Sequence, residues 1–442
     1  MGEKSVFDSQ TNIITDAVVF EEDYTPDEIY CRDEMKTEYV QILRPIYKGR
    51  PPKNAFLYGD TGVGKTAVTK FLLEKLADDL EKKHGEQTIT ANNLSILSSE
   101  FPEPHTVASG ENADLTVVQL NCQNLPTKGE KGTSYQVAVA LVNQFLSEED
   151  ELSTTGHAPQ AIYNRLYKEI DRLGGTILII LDEVDAIGDD DTVLYELPRS
   201  RADGKISEAR IGVIGISNDY TFQQNLSPKV QDSLCEREIR FPAYGADQLA
   251  TILRERADVG LIEGSYSESS LAIIAALARR DSSGSARKAI DILQKAAEIA
   301  EDRGKEEITE AFAREAFEEI RKDELIEDIK QQDAHKLNAL NALAEAHRLD
   351  KVPIRKKTLH STYSKIVEDN GNKPIAVRSF HNHLNRLVMF GLVNEVTENR
   401  GKGGGRYNVY ELSQEMTPQA VNKAINETDD ISWVDVTYIK DV

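Results

Sequence analysis

Short apolar runs alternate with longer amphipathic stretches through the first half of the chain. The runs AFLY at 55–58, LTVVQLN at 115–121, TILIIL at 176–181 and IGVIGIS at 211–217 are largely apolar and show little polar alternation. That pattern predicts parallel strands buried on both faces, with a fifth strand at 238–242. Apolar residues at helical spacing follow the first run as far as Leu80 and recur at 135–146 and 160–173, where they predict crossover helices. Residues 81–114 are polar and rich in Ser, Asn, Thr and Gly, and they read as a surface insertion with one helical turn near 94–97.

Beyond 242 the periodicity is helical only, at 246–258, 267–280, 285–302 and 309–329, the last of these a highly charged amphipathic helix. From 334 the pattern predicts helices ending at 349 and spanning 357–369 and 377–389, then short strands at 392–396 and 407–412 on either side of RGKGGGRY. Three helices followed by a hairpin describe a winged helix, with the glycine loop as its wing. The predicted organisation is therefore a tail at 1–29, an α/β domain with a parallel sheet at 30–244, an all-α domain at 245–330, an α+β winged helix at 331–414 and a tail at 415–442.

At 442 residues the chain is too long for a single hydrophobic core, in keeping with several domains. Cys31, Cys122 and Cys235 are isolated in sequence and lack His at metal spacing, which argues against a disulfide framework or a zinc site. The start of the chain has no signal-peptide pattern and the longest apolar run, at 271–278, is too short to cross a bilayer, so a cytoplasmic, nucleoid-associated protein without a membrane partner is expected. A formal net charge of −23 would repel nucleic acid. Residues 351–410, however, carry eleven Lys and Arg against four Asp and Glu, a basic island in an acidic chain. The acidity elsewhere reads as a surface tuned for solubility at high salt.

GDTGVGKT, from Gly59 to Thr66, matches G-x-x-x-x-G-K-[ST] between a predicted strand and a predicted helix. Gly59, Asp60, Thr61, Gly62, Val63 and Gly64 would wrap nucleotide phosphates with backbone amides, Lys65 would reach the β- and γ-phosphates, and Thr66 would offer a hydroxyl to Mg²⁺. In LDEVD, Asp182 and Glu183 follow a buried strand, where Asp182 suits the Mg²⁺ shell and Glu183 suits a general base for water. Asn218, ending the next strand, could hydrogen-bond phosphate and water. Arg287 stands where a helix dipole disfavours a cation, a reason to look for another purpose.

With GDTGVGKT, LDEVD, ISND and GSARKAIDIL in this order ahead of a winged helix, the chain resembles the archaeal origin-recognition and cell-division-control replication initiators, which are AAA+ ATPases. The resemblance implies Asn218 as sensor 1 and Arg287 as sensor 2, and a slow ATPase in which ATP and ADP act as a switch. In YCRDEM it implies Arg32 beside the adenine, although Cys31 departs from the family pattern; Tyr244 in PAYG is a further candidate nucleotide contact. It implies binding to double-stranded origin repeats, remodelling of the duplex and recruitment of the replicative helicase. Lys128 and Lys131 lie in the approximate region of an initiator-specific DNA-binding insertion. SPKVQDSL has Lys229 and Ser233 where some relatives carry an arginine finger, and Lys lacks the planar fork of Arg. The oligomeric state stays open, a monomer that assembles on DNA being one form. A transcription regulator switched by ATP and a clamp-loader-like motor are the rival readings.

The third helix of a winged helix enters the major groove. Here Val377, Phe380, Leu384, Leu387 and Val388 predict the apolar face of that helix, leaving Arg378, His381, Asn382, Asn385 and Arg386 for DNA. Arg400, Lys402 and Arg406 in the wing are suited to phosphates or the minor groove.

Overall fold

The computed structural model describes residues 12–22, 24–84, 115–125, 133–282, 284–399, 406–414, 416–428 and 431–439. It divides into two compact units, Met1–Ala316 and Phe317–Val442.

The first unit begins its sheet domain with α1 (Asp33–Tyr47), β1 (Ala55–Tyr58) and α2 (Lys65–His84). There follow β2 (Thr116–Asn121), α3 (Ser134–Asn143), α4 (Pro159–Leu173), β3 (Thr176–Asp182), α5 (Thr192–Arg199) and β4 (Arg210–Ser217). The short helices α6 (Phe222–Asn225) and α7 (Pro228–Leu234) lead into β5 (Glu238–Arg240). All pairs in the sheet are parallel, in the order β2-β3-β4-β1-β5. The side chains of β3 divide between two cores: Ile177, Ile179 and Leu181 face the core built on α3, α4 and α5, while Leu178 and Ile180 face the core that holds Tyr39 of α1 and Leu73 of α2. The central strand is therefore buried on both sides, which explains its unbroken apolar run. The register brings Tyr58 beside Ser217 and Asn121 beside Asp182, so the polar residues ending β1, β2, β3 and β4 share one sheet edge.

Four helices complete the unit: α8 (Ala246–Gly260), α9 (Glu268–Asp281), α10 (Ala286–Asp302) and α11 (Glu310–Lys330), the last extending past the division between units. Ser267 caps α9 and Ser285 caps α10 through their hydroxyls. Among the described residues of the tail expected at 1–29, Ile13, Val19, Phe20 and Ile29 are buried. Ile14 bridges to Leu261, and Val19 and Phe20 are buried against Gly260, where an added Cβ would lie 2.3 Å from Val19 Cγ2. Hydrophobic anchors spaced through a polar segment gave no periodic signal there.

The second unit contains α12 (Ala334–Arg348), β6 (Ile354–Arg355), α13 (Lys356–Asp369), α14 (Val377–Met389), β7 (Val393–Asn399), β8 (Arg406–Leu412) and α15 (Pro418–Asn426). β6, too short to announce itself in sequence, joins the predicted hairpin in an antiparallel sheet ordered β6-β8-β7. Described residues of the C-terminal tail expected at 415–442 are instead part of the core: Met416, Val421, Ile425, Ile431, Val436 and Ile439 are all buried with Leu340, Phe380 and Leu384. Val436 N donates to Glu345 Oε2 at 2.6 Å, and the Asn370 side chain exchanges hydrogen bonds with the backbone of Ser432. Among the described residues no helix is long and apolar enough to cross a membrane.

Candidate functional site

The loop between β1 and α2 and the first turn of α2 carry GDTGVGKT over the polar edge of the sheet. Gly62 and Gly64 have φ of 75° and 90°, where a side chain would be strained, and both are approached closely. An added Cβ on Gly62 would stand 2.0 Å from Ser285 Oγ; on Gly64 it would stand 2.9 Å from Tyr244 Oη. The Gly62 carbonyl also accepts from Ala286 N at 2.9 Å, so the loop is fastened to the N-terminus of α10.

Lys65 is buried and its ammonium donates to Gly59 O at 2.7 Å, Asp60 O at 2.8 Å and Asn218 Oδ1 at 2.8 Å. Burial pulls its pKa down to about 8, against the opposing attraction of Asp182 and other nearby carboxylates. Thr66 Oγ1 donates to Asp182 Oδ2 at 2.8 Å. Burial raises the pKa of Asp182, and the Thr66 hydroxyl and the Glu183 amide partly offset this.

Glu183 adopts φ 50° and ψ 43°, a left-handed conformation that costs a non-glycine residue roughly 1–2 kcal/mol. Its Oε1 accepts from Asn218 Nδ2 at 3.2 Å. Burial raises its pKa, which suits a group that must take up a proton. Asp185 fixes Asn218 from behind, accepting from its backbone amide at 3.0 Å and from Ser217 Oγ at 2.8 Å. Asn218 thus links the Lys65 ammonium to the Glu183 carboxylate. Asp185 was not singled out in the sequence, though it lies in the same LDEVD run.

A cleft of about 1680 Å³ opens over these residues, with Gly62, Lys65, Thr66, Glu183, Asn218 and Tyr244 among its walls. Thr66 and Asp182 offer the hard oxygens that Mg²⁺ takes together with phosphates and water. Among the described residues no group of three or more His, Cys, Asp and Glu is placed to hold a metal ion without such phosphates.

Arg32 lies against the loop that carries Val63. Its guanidinium is buried, donating through Nε to Val63 O at 3.0 Å and through Nη2 to Pro242 O at 2.6 Å, 3.4 Å from the centre of the Tyr244 ring. With those donors turned to backbone carbonyls, Arg32 braces the loop, and Tyr244 is the member of the pair that lines the cleft. Arg287 also lies at the cleft, on the first turn of α10, and forms a two-point ion pair with Glu22. Lys229 is exposed on α7, 5.9 Å from the Tyr195 ring centre, and Ser233 Oγ donates to its carbonyl.

In the second unit α14 buries Phe380, Leu384 and Leu387. Val377, expected on the same face, is 46% exposed because it begins the helix ahead of the first packed turn. Arg378, Asn382 and Arg386 are exposed and His381 and Asn385 are half-buried. Arg406 begins β8 opposite Asn399. Arg400, Lys402, Lys128 and Lys131 lie outside the described residues.

Three families match successive parts of the chain: an AAA ATPase domain over residues 28–205, the Cdc6 AAA+ ATPase-type lid domain over 250–318 and the CDC6 C-terminal winged helix domain over 327–423. ORC1-type DNA replication protein 15 of Haloarcula marismortui is 40% identical over 430 residues, 97% of each chain. The chain belongs to the ORC1-type DNA replication protein family. Within this ORC1-type family, protein 10 of Halobacterium salinarum is 40% identical over 409 residues, covering 92% of this chain and 90% of its own. A solved structure of the Aeropyrum pernix ORC1 protein in complex with DNA is 27% identical and superposes with a TM-score of 0.73 over 96% of this chain and 98% of its own. The Aeropyrum pernix ORC2 protein, solved as ADPNP-ADP complexes, shares the fold at 22% identity and a TM-score of 0.54, over 93% of this chain and 97% of its own. An AAA+ sheet domain with a helical lid and a C-terminal winged helix is therefore the architecture of this ORC1-type chain.

Proposed function

We propose that this ORC1-type chain is an ATP-switched replication initiator that binds double-stranded origin DNA through its AAA+ and winged-helix domains, remodels the duplex and helps recruit the replicative helicase. The observation that carries the reading is the Lys65–Asn218–Glu183 connection in a chain that also bears a winged helix with exposed Arg378, Asn382 and Arg386. Bound ATP with Mg²⁺ would supply the phosphoanhydride whose cleavage resets the switch. Loop amides and Lys65 bind its phosphates, while Thr66 and Asp182 hold the metal. Glu183 takes the proton of water, Asn218 fixes the orientation of Glu183, and Arg287 answers to the terminal phosphate. The relatives' shared name and the DNA bound in the Aeropyrum pernix ORC1 structure support a DNA partner.

On the DNA side, α14 presents Arg and Asn, whose forks match guanine and adenine edges in the major groove. Footprinting of the full chain on chromosomal repeats tests this reading. Arg378→Ala and Arg386→Ala are expected to weaken protection at a repeat by about 1–3 kcal/mol for a base contact, with nucleotide affinity unchanged. Protection at repeats that is indifferent to both substitutions would remove α14 from the interface.

A further inference from the structure

Arg287 does not face the cleft alone. Its Nη1 and Nη2 each meet one oxygen of Glu22 at 2.5 Å, across 265 positions of sequence. The same arginine stands over the phosphate loop: its Cβ is 3.3 Å from where a Cβ of Gly62 would be, and Glu22 and Arg287 both line the cleft. A carboxylate fork and a pair of phosphate oxygens present the same geometry to a guanidinium, so the face that holds one is not free for the other.

Glu22 is delivered to this place by an anchored segment. The amides of Ile13 and Ile14 donate to Glu301 Oε1, and Thr15 N donates to Gly260 O at 2.8 Å. Arg256 Nη1 holds the Val19 carbonyl at 2.8 Å, with Val19 and Phe20 buried beneath. The carboxylate also offsets a cation that the N-terminus of α10 would otherwise disfavour, a service a terminal phosphate would render equally.

We propose that Glu22 sets the preference of this chain between ATP and ADP, holding Arg287 while the γ-position is empty and yielding it when a γ-phosphate arrives. The inference rests on the reading of Arg287 as the residue that answers the terminal phosphate. ATP must displace Glu22 to gain Arg287, whereas ADP leaves the pair intact. Arg287 and Glu22 are 50% and 68% exposed, so the pair is weak enough to exchange. An exposed pair of this kind corresponds to a factor of about two to five in affinity.

The experiment measures Mg²⁺-supported binding of a non-hydrolysable ATP analogue and of ADP to the full chain, as wild type, Glu22→Gln, Arg287→Ala and the double variant. Glu22→Gln is expected to strengthen the analogue about two- to fivefold, leave ADP unchanged, and have no effect when Arg287 is already Ala. If Arg287→Ala lowers the preference for the analogue but Glu22→Gln alters both nucleotides equally or neither, the role of Glu22 is overturned and Arg287 stands. If Arg287→Ala leaves the preference unchanged, both fall together.

Discussion

Removing the segment after Gln414 tests whether the second unit depends on its C-terminal strap. The truncation takes away Met416, Val421, Ile425, Ile431, Val436 and Ile439, all buried against α12, α13 and α14. At about 1.5–3 kcal/mol for each large aliphatic side chain, the lost burial amounts to roughly 9–18 kcal/mol, an upper bound because the unfolded chain is itself partly compact. It also strips Glu345, fully buried, of its hydrogen bond from Val436 N. Domains are typically stable by only about 5–15 kcal/mol, so the truncated winged helix should not fold. A graded version, Ile425→Ala, should destabilise the unit by about 2–5 kcal/mol and lower its unfolding temperature by very roughly 10 °C. Calorimetry of the full-length variant follows the transition, and nucleotide binding serves as the control for the first unit. A truncated chain that keeps both its winged-helix transition and its DNA affinity would refute the argument.

Four further outcomes concern the nucleotide site. Lys65, with its pKa drawn down to about 8 by burial, loses its proton in the ligand-free chain as pH rises through that value, whereas bound phosphates favour the ammonium. ATP affinity should therefore fall above pH 8 by up to about tenfold per unit, with proton uptake visible by titration calorimetry in buffers of different ionisation enthalpy, and Lys65→Arg should abolish the dependence. The same depressed pKa means that the ligand-free protein gains stability from this group as pH climbs from about 8 toward the unfolded lysine value. Glu183→Gln should retain ATP binding and slow single-turnover hydrolysis by about 10²–10⁴-fold. Gly62→Ala places a methyl group 2.0 Å from Ser285 Oγ at a φ of 75°; at roughly 2–4 kcal/mol it should weaken nucleotide binding at least about 30-fold, with part of the loss recovered by Ser285→Gly.

The parts legible in sequence were those whose signal is local. TILIILD announced a strand buried on both faces, and GDTGVGKT fixed both a loop and the helix after it. Residues whose role depends on distant partners were not legible in that way. Nothing in YCRDEM shows that the donors of Arg32 meet the carbonyls of Val63 and Pro242. Glu22 is one acid among many until it meets Arg287, and Ser285 is a helix cap until it is found against Gly62. The terminal segments escaped for a related reason, since Val19, Val421 and Val436 pack against elements far away in sequence and leave little period of their own. α15 is short, and Pro418 at its start was its clearest local sign.

Initiation at origins is tested by genome-wide mapping of the bound full-length protein alongside nascent-strand start sites. Binding is expected at repeats that flank AT-rich duplex where nascent strands begin, and is weakened by Arg378→Ala. Occupancy confined to single promoter sites, with altered transcription and no nascent strands starting nearby, would contradict it.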